Sequence, residues 1–167
     1  MRPAIVVDTN VAIVANNDET PQAGIGCVRN CIRILLHIRA EQRLLLDRDG
    51  LILNEYRTYL SPIGQPGVGD AFFKWLWNNQ ANPQLCQQIT LTPLADDRRQ
   101  FADFPNDPDL LGFDPSDQKF VAVAIASGEH PPVVEATDTK WWSYREALAR
   151  HEVPVEFVCP ELMTPHE

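Results

Sequence analysis

Five short strand-like runs, separated by helix-patterned or polar sequence, constrain this chain more than any other feature. They are Ala4-Ile5-Val6-Val7, Leu44-Leu45-Leu46, Gln88-Ile89-Thr90-Leu91-Thr92, Pro132–Thr137 and Val155–Val158. Their β-branched and apolar content suits buried strands. Between the first two, Val28, Cys31, Ile32, Leu35 and Leu36 recur at i, i+3, i+4, i+7 and i+8, which predicts a helix from Cys27 to about Glu41. Further helices are expected over 51–60, from Asp70 (as N-cap) to about Asn79, from Pro115 to Gly128, and from Trp141 to about His151. The Gly- and Pro-bearing stretches 16–26 and 61–69 read as loops, as does much of 93–117, which holds seven Asp and four Pro with no clear period. Strands alternating with helices predict an α/β fold, with a mostly parallel central sheet.

At 167 residues the chain suits one domain able to bury a core of its own. No apolar run approaches the roughly 18 residues of a membrane span. The apolar part of the N-terminus is too short for a secretory signal, so a cytosolic location is expected. The four cysteines, Cys27, Cys31, Cys86 and Cys159, contain no Cys-x-x-Cys pair. They read as buried thiols of a reduced protein rather than as a zinc knuckle. Net charge is −9, and the whole excess lies in residues 81–167, with six Lys/Arg against fifteen Asp/Glu. Such a chain repels a phosphate backbone unless cations intervene. It remains compatible with acids that hold metal ions, because the metal inverts the local field.

Four acids stand at telling places. Asp8 closes the first strand. Glu55 falls within the apolar face formed by Ile52, Tyr56, Tyr59 and Leu60, where an unpaired carboxylate pays for its lost hydration; an Arg such as Arg57 or Arg33 is the alternative partner to a metal. Asp117 follows Asp114 and Pro115 at the start of an apolar helix, in positions that also suit N-cap and N3 roles. Asp138 follows the strand ending at Thr137, where it can equally cap the next helix. In a parallel sheet, ligands bind at the C-terminal strand ends, and that edge would gather Asp8, Asp117 and Asp138 with Glu55 turned inward. Like charges so gathered repel, and divalent metal resolves the conflict, since Mg²⁺ and Mn²⁺ favour carboxylate oxygen.

These residues resemble the PIN-domain family. The matching pieces are Val6-Val7-Asp8-Thr9-Asn10-Val11, Leu53-Asn54-Glu55-Tyr56, Ser116-Asp117 with the Ala-rich run to Ala124, Ala136-Thr137-Asp138-Thr139-Lys140, and the closing Cys159-Pro160-Glu161-Leu162. Each is short, but their order spans nearly the whole chain. The resemblance implies a three-layer α/β/α sandwich over residues 1–167 and a Mg²⁺- or Mn²⁺-dependent ribonuclease acting on RNA. It further implies a homodimer and a toxin-type component held by an antitoxin or another protein partner. Asp8, Glu55, Asp117 and Asp138 would be the catalytic metal ligands, with Thr9, Asn10 and Thr137 supporting them by hydrogen bonds. A catalytically inactive PIN-like module that works through protein contacts is the alternative.

A phosphatase of the haloacid-dehalogenase type would need a second Asp where Asn10 stands. A P-loop or Rossmann domain would need a Gly-rich turn that Asp8-Thr9-Asn10-Val11 lacks. Arg29, Arg33, Arg39 and Arg43 read as a solvated helix face before a phosphate site. Trp75, Trp77, Trp141 and Trp142 read as packing residues before base-stacking ones.

Overall fold

A computed structural model describes residues 1–17 and 23–163. In chain order the elements are β1 (Ala4–Val7), α1 (Thr9–Ala15), α2 (Ile25–Glu41), β2 (Arg43–Asp47), α3 (Leu51–Tyr59), α4 (Val68–Asn79), β3 (Cys86–Ile89), β4 (Pro93–Leu94), β5 (Asp97–Phe101), α5 (Gln118–Ala126), β6 (Val133–Glu135), α6 (Lys140–Arg150) and β7 (Val155–Phe157). The main sheet has five strands in the order β3-β2-β1-β6-β7, and every pairing in it is parallel. The protein is an α/β fold with helices on both sides of this sheet. β2 and β6 are buried along their whole length, as is β1 after Ala4. Burial on both faces requires cover from two helical layers.

The strand order fixes where a site can lie. The chain leaves β1 towards β2 and β3, then returns to place β6 and β7 on the other side of β1. The direction of winding therefore reverses between β1 and β6, which opens a crevice at their C-terminal ends. Val6 pairs with Val133 and Val7 with Val134, so the next register step sets Asp8 beside Glu135. The Asp8 N–H donates to Val134 O at 3.1 Å, which holds that step.

α1, α2 and α4 pack against one another. The α1–α4 approach depends on Gly69, where a Cβ would stand 1.9 Å from Ala12 O. Asn16 closes the same junction by accepting from the Asp70 N–H at 2.9 Å. Asp70 is not the N-cap of its helix, as the sequence suggests. Gly67 is, and Asp70 at N3 accepts from the Gly67 N–H at 3.0 Å and the Ser61 N–H at 2.8 Å.

Other expectations are also corrected. The third strand begins at Cys86 and ends at Ile89, earlier than the run 88–92. The acidic segment 93–117, much of it loop as expected, also contains the antiparallel β4–β5 hairpin and two 3-10 turns, Pro108–Leu110 and Pro115–Asp117. α2 starts at Ile25, inside the loop expected over 16–26, of which residues 18–22 lie outside the described residues. Arg43 is no part of a solvated face. It is buried on β2, bonded to Gln87 and to Glu129 at 2.5 Å. Arg39 lies over the Trp75 ring. Among the described residues, no helix is long and apolar enough to cross a membrane.

Candidate metal centre

Asp8 and Glu135, at the β1/β6 crevice, are set apart from the other buried acids by what they lack, whereas the half-buried Asp138 accepts the Lys140 N–H at 3.1 Å and lies 3.9 Å from Lys140 Nζ. Asp47, at the end of β2, accepts from the N–H groups of Leu51 and Ile52, both at 2.8 Å, and so caps α3. Asp70 also receives two N–H donors. Both carboxylates are structurally satisfied. Asp8 accepts a long bond from the Asn10 N–H at 3.3 Å, as N-cap of α1. Glu135 is fully buried, and no donor reaches its Oε2. Its Oε1 receives the Asn10 side-chain amide, while Asn10 Oδ1 accepts from the Ala136 N–H at 3.1 Å. Asn10 thus fixes the Glu135 carboxylate in place and leaves one oxygen facing the other acids.

Asp8, Glu135 and Asp138 each present a carboxylate oxygen within 4.8 Å of the other two. This buried acidic cluster can bind a metal ion. Its electrostatics show the absence of sufficient counter-charge. Burial, then the nearby acids Glu55 and Asp138, push Asp8 up to about 6, against the opposing hydrogen bond from Glu135. Burial and then Asp8 push Glu135 well above the ordinary carboxylate range. Burial, followed by Asp8 and Asp138, pushes Asp117 up to about 7. Without a cation, a proton shared between Glu135 and Asp8 relieves the repulsion; a cation does the same for the whole group.

Comparison of the chain with protein-family models, curated proteins and solved structures finds no match.

Of the acids singled out in the sequence, Asp8 and Asp138 meet directly, and Asp117 stands close enough to both to be perturbed by them. Asp117 is the last residue of the Pro115–Asp117 turn and the N-cap of α5, rather than N3 of one longer helix. Glu55 does not join the tight group. Its partner is neither Arg57 nor Arg33: Lys119 Nζ lies 3.0 Å from its Oε1, and the Thr9 hydroxyl donates to its Oε2. Glu55 is close enough to raise Asp8, so it lines the centre from the α3 side. Of the supporting residues, Thr9 bonds Glu55 and Asn10 bonds Glu135, and Thr137 is buried beside the cluster's strand. Asp114 caps the turn before Asp117 and binds Lys140 at 2.8 Å; Lys140, then Ser116, hold it down at about 2.

Sequence reasoning missed Glu135. It lies inside the run Pro132–Thr137, read there as a strand and nothing more. The signal was present, because a carboxylate between Val134 and Ala136 in a doubly covered strand has no route to water. The cysteines also differ from expectation. Cys27 and Cys159 form a disulfide, and Cys31 and Cys86 are free and buried.

Proposed function

We propose that this chain is a PIN-like endoribonuclease that uses Mg²⁺ or Mn²⁺ held by Asp8, Glu135 and Asp138. The observation that carries the reading is Glu135 Oε2, a fully buried oxygen without a donor, set against two further acids at the switch point of a parallel sheet. An all-oxygen donor set favours Mg²⁺ or Mn²⁺ over softer metals. When bound, such an ion lowers the pKa of its water and offsets the charge of a reacting phosphodiester.

The chain's own groups divide the remaining work. Asn10 orients Glu135, and Thr9 with Lys119 orients Glu55. Asp117 completes the acidic rim from the head of α5. Beside this rim Lys119, paired with Glu55, and Arg99, beside Asp97, line a cavity of about 130 Å³ with Ser116, Leu51, Phe101 and Pro115. A homodimer and a protein partner of antitoxin type belong to the same proposal and are read by sedimentation and co-purification.

The test is cleavage of structured and single-stranded RNA with Mn²⁺, against Asp8→Asn, Glu135→Gln and Asp117→Asn. The wild type should cleave, and each variant should lose at least about 100-fold, the order of effect seen when an electrostatic stabiliser is removed. Cleavage by Asp8→Asn at the wild-type rate contradicts the assignment. Manganese binding without cleavage of any RNA would favour the alternative, a PIN-like interaction module.

A further inference from the structure

Outside the acidic cluster, the fold gathers a second set of metal-ligating side chains. Cys27 and Cys31 stand four residues apart on one face of α2. Cys159 follows β7, and its sulfur reaches the same point from 132 residues away. The three sulfurs lie within 4.8 Å of one another, and none of the three residues is more than 1% exposed. A disulfide needs two of them, yet the third sulfur is held at the same spot.

We propose that in the reduced protein Cys27, Cys31 and Cys159 together bind one Zn²⁺, and that the Cys27–Cys159 disulfide is the oxidised, metal-free state of the same site. Opening requires an external dithiol. Two electrons and two protons pass to the sulfurs of Cys27 and Cys159, and the dithiol becomes a disulfide. The cation then displaces the thiol protons. Three thiolates leave Zn²⁺ with one net negative charge and Cu⁺ with two, so a buried site favours Zn²⁺. A groove lined by Asn30, Ile34, His37, Val158 and Pro160 lies between α2 and the segment that carries Cys159.

Cobalt reports thiolate ligation directly, because sulfur-to-Co²⁺ charge transfer absorbs in the near ultraviolet and carboxylate ligation does not. The full chain is reduced, freed of reductant without air, and titrated with Co²⁺, then Zn²⁺. The expected result is a charge-transfer band that saturates at one equivalent and is bleached by one equivalent of Zn²⁺. Oxidised wild type and reduced Cys31→Ser should show no such band. A thiol count on unfolded, air-oxidised Cys31→Ser should give one free thiol, Cys86, which verifies that the variant folds and closes its disulfide. No band in the reduced wild type, or an equal band in Cys31→Ser, overturns the proposal and leaves a core disulfide with a packing thiol beside it.

Discussion

Replacing Asp8 by Asn should make the metal-free protein more stable, although it destroys the proposed site. Asp8 is 5% exposed, and burial with nearby acids raises it from 3.8 to about 6. At pH 7.5 the folded state holds this group ionised against a shift of about two pH units, which corresponds to about 3 kcal/mol. Asparagine is nearly isosteric, keeps an oxygen for the Asn10 N–H, and offers an amide towards the buried Glu135 carboxylate. The gain should therefore approach 3 kcal/mol, or roughly 6–12 °C in Tm for a domain of this size. The assay is thermal and urea unfolding with a chelator present, at pH 7.5 and pH 5, where the difference should shrink. With excess Mn²⁺ the order should reverse, because only the wild type gains from ligand binding. A metal-free Asp8→Asn protein that melts at or below the wild type at pH 7.5 would refute the claim that this carboxylate is buried without adequate counter-charge.

The pH dependence of the metal-free wild type follows from the same groups. Asp8, Asp117 and Glu135 retain protons in the folded state that the unfolded chain releases near pH 4, so stability should fall as pH rises from about 4 to 7. A flat or rising chelator-treated stability profile across that window would contradict it. Asn10→Ala removes the amide from Glu135 and the acceptor of the Ala136 N–H; it should cost about 2–3 kcal/mol and weaken Mn²⁺ binding about 10- to 100-fold, read by urea unfolding and calorimetry. Gly69→Ala should destabilise by at least about 2 kcal/mol in urea, since its Cβ meets the α1 backbone at Ala12 and neither helix can yield cheaply.

Much of the architecture was legible because it follows local pattern. The runs at Ala4–Val7 and Pro132–Thr137 declare themselves by β-branched residues, and the 3.6-residue period of α2 is clear along its length. Asp8 and Asp138 could be placed because a parallel sheet assigns its C-terminal strand ends to ligands. Glu135 was hidden by the same strand pattern that identified β6; only the pairing of Val7 with Val134 sets it beside Asp8. The partner of Glu55 was missed because Lys119 lies 64 residues away, on a helix whose angle to α3 no local pattern encodes. The disulfide was invisible for the same reason, since 132 residues separate its halves. The β4–β5 hairpin lacks the alternation that marks a strand: Asp97 to Phe101 carries one apolar residue.

Calorimetric titration of Mn²⁺ into wild type and Glu135→Gln reads out whether Asp8, Glu135 and Asp138 hold a divalent ion. Saturable binding to the wild type and at least a tenfold loss in the variant are expected, with both proteins folded. Equal binding by the two, or no binding by the wild type, would contradict that assignment.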